Sequence, residues 1–250
     1  MKILGIDTST AIASVALVED GALVLEEIHP DFSLREVGAS RPERANHAET
    51  VLPLVDSLLR KACLTLTEVN ALSVAIGPGS FTGLRIGIST VMGLAFGWDM
   101  PVVGIPTLPA IAARAAAWNG VICPFLDARK GEVYTALFRN DKNGSLRRLA
   151  EDAVSLPEKA LLTILSYPRE CCLLVGSGTQ VYRELIESIL SGVDHKAQRE
   201  MSPSTAFGVA RLAEGKVRKR EFNSPGLLSP LYLRPSEAEV QRPREAKRHE

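Results

Sequence analysis

Gly77, Gly79 and Gly83 lie ahead of an apolar run in IGPGSFTGLRIGISTVMGLAFG (Ile76–Gly97), and a glycine cluster entering a helix is where backbone amides can surround a phosphate. The spacing does not support that chemistry. A G-x-x-x-x-G-K-[ST] loop needs a lysine after its last glycine, whereas five residues separate Gly77 from Gly83 here and Leu84 follows. The G-x-G-x-x-G pattern of dinucleotide sites is missed by one residue, and Pro78 removes an amide from the cradle. Two acids, Asp7 and Asp127, offer a different chemistry, because each ends an apolar run, KILGID and GVICPFLD. A carboxylate followed by Thr8, Ser9 and Thr10 also closes a turn on its own backbone, and turn capping is the expectation for Asp7. The run Asp127-Ala128-Arg129-Lys130-Gly131 keeps an acid, two cations and a glycine, which suits weak anion binding.

The remaining reactive side chains point away from catalysis. His29, His47, His195 and His249 are the only histidines, and no two are four apart as a helical metal pair requires. His47 and Glu49 read as a helix start, with Asn46 as cap and Glu49 closing a capping box. Cys63, Cys123, Cys171 and Cys172 show no C-x-x-C spacing, so buried thiols in a reducing compartment are expected rather than a disulfide or zinc site. The basic run KVRKR (Lys216–Arg220) reads as a solvated face.

The elements that must position these residues occur twice. KILGID is a short apolar strand, AIASVALVED alternates, and Asp20-Gly21 supplies a hairpin turn before ALVLEE. GVICPFLD, GEVYTALFRN and the turn Asn143-Gly144 repeat that order 120 positions later, Asp7 matching Asp127, which implies a duplicated strand-hairpin-helix unit. Between the two lie a helix over ETVLPLVDSLLRKACL, a strand ALSVAI, the glycine helix, a strand PVVGI and a helix TLPAIAARAAAW. Further on, CCLLVG reads as a strand, and GTQVYRELIESIL and STAFGVARLAEGKV as helices. SEAEVQRPREAKRHE, from 236 to 250, has no packing face and reads as a disordered tail.

Composition narrows the class further. With 46% hydrophobic and 23% charged residues and a net charge of +0, the chain suits a globular protein and lacks the cationic balance of a free-standing nucleic-acid binder. The glycine helix is no membrane span: about 20 apolar residues are needed, and Arg85, Ser89 and Thr90 interrupt the run before Asp99 closes it. Asp7 likewise interrupts the first apolar run, so a signal-peptide core is not expected and the chain reads as cytoplasmic. What survives for the glycine helix is close contact. A start near Thr82 puts Gly83, Gly87, Thr90 and Gly97 on one stripe, while Leu84, Ile88, Val91 and Phe96 spread over other faces. A helix so apolar must be covered on more than one side, by its own neighbouring helices or by an external partner, and the pattern alone leaves both open.

ILGIDTST (Ile3–Thr10), GPGSFTGLRIGISTVMGLA (Gly77–Ala95), DARKGEVY (Asp127–Tyr134) and LYLRPSEAE (Leu231–Glu239) together strongly resemble the TsaB (YeaZ) family, over residues 1 to about 239. That family supplies a bacterial subunit of the machinery making threonylcarbamoyladenosine at position 37 of tRNA. The resemblance implies the α/β, two-lobed fold of actin, Hsp70 and sugar kinases (ASKHA), each lobe ribonuclease-H-like, with lobes at 1–105 and 106–235 and the last helix able to pack back on the first lobe. It implies a non-catalytic scaffold that binds and activates the paralogue TsaD, with the ATPase TsaE joining the pair, tRNA reached only through the complex, and a homodimer when alone.

The implied contact surface is the first two helices, through Leu52, Val55, Leu59, Gly83, Gly87, Thr90, Val91 and Leu94. No metal or cofactor is expected, apart from a weak nucleotide or anion site at Asp7, Asp127, Gly176 and Gly178, the last two in VGSGT. The likeness to TsaD is fainter. Where that paralogue carries a metal-binding H-x-x-x-H, this chain has Thr107 and Ile111, neither able to replace an imidazole. The rival readings are a phosphotransferase of the same fold, with a nucleotide between Asp7 and Asp127, and a metallopeptidase.

Overall fold

The computed structural model describes residues 1–29, 46–115, 117–140, 146–167, 171–192, 195–198 (backbone) and 204–234. Two five-stranded sheets carry the architecture. The first contains β1 (Lys2–Asp7), β2 (Ala13–Glu19), β3 (Ala22–His29), β4 (Ala71–Gly77) and β5 (Val102–Pro106) in the order β3-β2-β1-β4-β5. The second contains β6 (Val121–Arg129), β7 (Glu132–Asn140), β8 (Leu146–Ser155), β9 (Cys172–Val175) and β10 (His195–Gln198) in the order β10-β9-β6-β7-β8. In each, three antiparallel strands form a meander and two more add in parallel beside the first of them. The sheets are therefore the same ribonuclease-H-like unit used twice, as the repeated sequence pattern implies.

The central strands owe their apolar runs to cover on both faces. On one face of the first sheet lie α1 (His47–Lys61) and α2 (Phe81–Trp98), whose Val51, Val55, Leu58, Ile88 and Val91 join Leu4, Ile6, Val15, Leu72 and Val74 in one core. On the other face lies α7 (Ala206–Arg218), with Val209, Ala210 and Ala213 against Ile3, Val18 and Val103. This double cover explains why β2, whose sequence alternates, is buried along almost its whole length. Next to α7, α3 (Thr107–Arg114) turns Ala110 toward the first sheet's cluster and Leu108, Ile111 and Ala112 toward Ile122, Leu126 and Phe138 of the second sheet. Arg114 at its end forms a two-pronged ion pair with Glu26 of β3, at 2.8 and 2.9 Å, and both side chains are largely withdrawn from solvent. An arginine fork on a carboxylate fixes direction as well as distance.

Several local expectations hold and several need correction. Asp20 and Gly21 take φ of 47° and 78°, the two-residue turn that suits a right-twisted hairpin. The helix read over GTQVYRELIESIL is broken at Tyr182, φ −109°, into α5 (Gly178–Val181) and α6 (Arg183–Ile189). β8, β10 and α4 (Pro157–Ile164) lie where no element is predicted. Pro53 stands inside α1 with its side chain exposed, so the amide it lacks is missing from the solvent side. No disulfide joins the four cysteines, but only Cys123 and Cys172 are buried; Cys171 is half-buried and Cys63 exposed. Burial pushes the Cys123 thiol up to about 12. The turn at Asn143-Gly144 and the tail at 236–250 lie outside the described residues.

Candidate functional site

The loop that follows β1, Asp7-Thr8-Ser9-Thr10, is the hub of the first sheet's helical face. Asp7 is fully buried, and its Oδ1 accepts the Ser9 amide at 2.8 Å, so the acid caps its own turn as expected. Asp127 does the same for Arg129 at 2.9 Å, so the duplicated unit repeats down to one hydrogen bond. Several polar groups of the first loop are committed within the fold. Thr8 Oγ1 donates to the Gly83 carbonyl at 2.7 Å, and the Ser80 amide donates to the Ser9 carbonyl at 2.6 Å. The Ile12 amide donates to Thr10 Oγ1, and His47 Nε2 contacts the Thr10 carbonyl at 2.9 Å, which requires its proton on that nitrogen. These bonds seat α1 and α2 on the loop.

This seating explains the glycines of α2 and corrects their expected role. A Cβ on Gly79 would lie 2.3 Å from the Ser9 carbonyl, one on Gly83 2.0 Å from the Thr8 carbonyl, and one on Gly87 2.3 Å from Thr8 Oγ1. Gly83 and Gly87 therefore face their own loop rather than a partner. Val91, Val55 and Leu59 point inward as well, into the core under the helices. Of the eight residues expected at the contact surface, Leu52 is exposed, while Thr90 and Leu94 are partly so. The face that α2 does turn outward carries Gly93 and Gly97, each with open space where a Cβ would stand, together with Phe96 at 90% and Trp98 at 52% exposure. Phe96 and Trp98 are the exposed aromatics that the reading by stripe passed over. Their signal is an aromatic placed outside the i, i+4 glycine row.

The helix starts are built differently from the sequence reading. Ser80 caps α2 by accepting the Gly83 amide at 3.2 Å. Asn46 does precede α1 but makes no side-chain cap, so no capping box forms there; Thr50 Oγ1 donates to the Asn46 carbonyl instead, at 2.7 Å.

The other anticipated site residues are structural. Gly176, φ 129°, and Gly178 lie against the Phe125 carbonyl, where a Cβ would stand at 2.8 and 2.7 Å, and Ser177 Oγ accepts the Asp127 amide at 3.1 Å. Thr107 and Ile111, the positions that would carry a metal pair on α3, are both buried. Among the described residues no three of His, Cys, Asp and Glu are grouped to hold a metal ion. Arg218 of the basic run pairs with Glu214 at 2.6 Å and Asp20 at 3.1 Å, beside the β2–β3 turn. Among the described residues no helix is long and apolar enough to cross a membrane.

Burial pushes the Asp7 carboxyl above its ordinary value of 3.8, against the pull of the neighbouring Ser9, Thr205 and His47. Asp7 Oδ2 has no hydrogen-bond partner. Between the unfolded value and the raised folded one the native chain holds the extra proton, so this group's contribution is full at acid pH and is lost as pH rises through that window. Asp7→Asn keeps the Oδ1 acceptor and removes the charge. It is expected to raise Tm at pH 8, with an advantage over the parent that shrinks as the pH of the melt is lowered toward 4. An advantage independent of pH would show that the carboxyl titrates alike in the native and unfolded chains, so that burial does not raise it.

Comparison with known proteins decides the family. The chain is 37% identical over 240 residues to the Escherichia coli tRNA threonylcarbamoyladenosine biosynthesis protein TsaB, spanning 94% of this chain and 95% of that one. It is 32% identical to the Bacillus subtilis protein of the same name, over 96% and 97% of the two chains. The chain belongs to the TsaB family.

A Pseudomonas aeruginosa crystal structure described as similar to the peptidase YEAZ matches this TsaB-family chain with a TM-score of 0.72 and 28% identity, covering 93% of this chain and 99% of that one. The profile of the TsaD family, described as tRNA N6-adenosine threonylcarbamoyltransferase, matches residues 34–242. The TsaD-family match relates the two families over most of this chain.

Proposed function

We propose that this TsaB-family chain is a non-catalytic subunit in the synthesis of threonylcarbamoyladenosine on tRNA, binding the catalytic paralogue TsaD through the outward faces of α1 and α2. The observation that carries the reading is the exposed side of α2, where Phe96 is 90% exposed next to glycines that leave room for a close neighbour. Leu52 of α1, 49% exposed, extends the same kind of surface. TsaE joins the pair, tRNA is met only in the assembly, and two copies of the chain pair through the same helices when TsaD is absent. The chain itself needs no nucleotide or metal in this role: the first loop spends the Thr8 hydroxyl and the Ser9 and Thr10 carbonyls on seating α1 and α2, and α3 offers a hydroxyl and an alkyl group where a metal pair would need imidazoles.

Co-purification of the chain with TsaD of the same organism, followed by a tRNA modification assay with and without the chain, tests this. Complex formation and modification that depends on the chain are expected. Modification by TsaD and TsaE alone at the full rate would overturn the reading.

A further inference from the structure

The segment after α7 also ties the two sheets together. It first closes the free edge of β5, where the Asn223 amide donates to the Val102 carbonyl and Asn223 Oδ1 accepts the Gly104 amide, both at 2.8 Å. Leu228 then enters the core of the first sheet. The Leu231 amide donates to the Ile76 carbonyl at the end of β4, at 2.6 Å. The Tyr232 ring stacks on Phe81, the first residue of α2, with centroids 4.9 Å apart and planes 24° from parallel. Arg85, one turn further along α2, lies 3.9 Å over the Phe81 ring and donates from Nε to the Tyr232 hydroxyl at 3.1 Å. Two residues later Arg234 has crossed to the second sheet. Its Nη1 donates to Glu132 Oε2 at 2.6 Å and its Nη2 to the Ala128 carbonyl at 3.3 Å, gripping both strands of the β6–β7 hairpin. That hairpin turns through Arg129, Lys130 and Gly131, all at positive φ.

We propose that residues 231–234 form a latch between the lobes, which couples the position of the β6–β7 hairpin to the first turn of α2. The two ends differ in strength, and this makes the segment a latch rather than a staple. At the first lobe a backbone bond and an aromatic stack hold it, and Leu228 just before it is buried. At the second lobe the hold is one side chain, Arg234, with a long bond to the Ala128 carbonyl and an ion pair whose partners are 31% and 32% exposed, so solvent and salt weaken it. Opening therefore begins at Arg234, and what it loosens next is Tyr232 on Phe81. The coupling is a property of the chain alone.

Hydrogen exchange on the full chain, read by mass spectrometry in low salt, tests both directions of the coupling, since coupling between two sites is reciprocal. Arg234→Ala is expected to speed exchange at the Leu231 and Tyr232 amides and in the first turn of α2 by about three- to five-fold, the range for loss of a partly exposed ion pair. Arg234→Lys should fall between, and salt near 1 M should bring the parent toward the alanine variant. In the other direction, Phe81→Ala, which alters a half-exposed ring that makes no ion pair, is expected to speed exchange in residues 128–133. Unchanged exchange in the first turn of α2 with Arg234→Ala, or an unchanged hairpin with Phe81→Ala, overturns the latch.

Discussion

Gly83→Ala is expected to lower stability by about 2 kcal/mol or more, although the substitution is favourable in most helices. Alanine gains about 1 kcal/mol over glycine in a helix interior. Against that gain stands a Cβ placed 2.0 Å from the Thr8 carbonyl oxygen, a backbone atom that no rotamer change can move. Overpacking in a filled core costs about 1–3 kcal/mol and sometimes more, and this contact belongs at the upper end. The usual relief, a shift of α2 away from the loop, would stretch the hydrogen bond from Thr8 Oγ1 to the Gly83 carbonyl. At roughly 2–4 °C per kcal/mol for a chain of this size, the melting temperature should fall by about 4–8 °C or further. Gly93→Ala is the control: with nothing within 4 Å of its Cβ position, it should melt at or slightly above the parent. Thermal melts of the three proteins decide the matter. If Gly83→Ala melts with Gly93→Ala, α2 is not seated on the loop, and its glycines return to the outer surface as the stripe first suggested.

That stripe shows what the sequence holds and what it withholds. The i, i+4 glycines state that something approaches α2 closely, and something does. They cannot state that the neighbour is Thr8, 75 positions away in the chain, because the approach is set by how β1 and β4 pair and by the turn that Asp7 caps. The duplication was legible because it is carried by local pattern: an apolar run, an acid at its end and an alternating strand, all of which survive in β1–β2 and β6–β7. β8 was not, because LRRLAEDAVS carries charges on a half-exposed strand and lacks the alternation that marks one. α4 is too short for a periodicity of 3.6 to declare itself, and GTQVYRELIESIL reads as one helix because nothing in it marks Tyr182 as a break. In the candidate site, Leu52 lies on the open face of α1, whereas Val55 and Leu59 follow it by three and seven positions yet turn into the core. Where apolar residues stand on both faces of a helix, as Leu52 and Val55 do on α1, side-chain type does not separate the inner face from the outer one; that takes the position of the sheet.

The outer face yields the prediction with the largest effect on function. Phe96→Asp should leave folding nearly unchanged, since a side chain 90% exposed contributes little to the core, and surface substitutions are usually within about 0.5 kcal/mol. Its effect on the complex should be of another order. An aromatic anchor buried at an interface commonly carries 2 kcal/mol or more, and the carboxylate adds an unpaired charge to the seam; a loss of about 2.7 kcal/mol corresponds to roughly a hundredfold rise in Kd. Gly93→Arg tests the same face by bulk, because its open Cβ position would become a long side chain standing where a partner must approach. Leu162→Asp on α4, also exposed but on the second lobe, is the matched control and should bind as the parent does. Titration of each variant against TsaD, with the melting temperature measured in parallel, separates binding from folding. The same two variants of α2 should be monomeric in sedimentation at concentrations where the parent chain pairs. Parental affinity for TsaD in both Phe96→Asp and Gly93→Arg would leave the exposed side of α2 without a partner and move the docking surface to another part of the molecule.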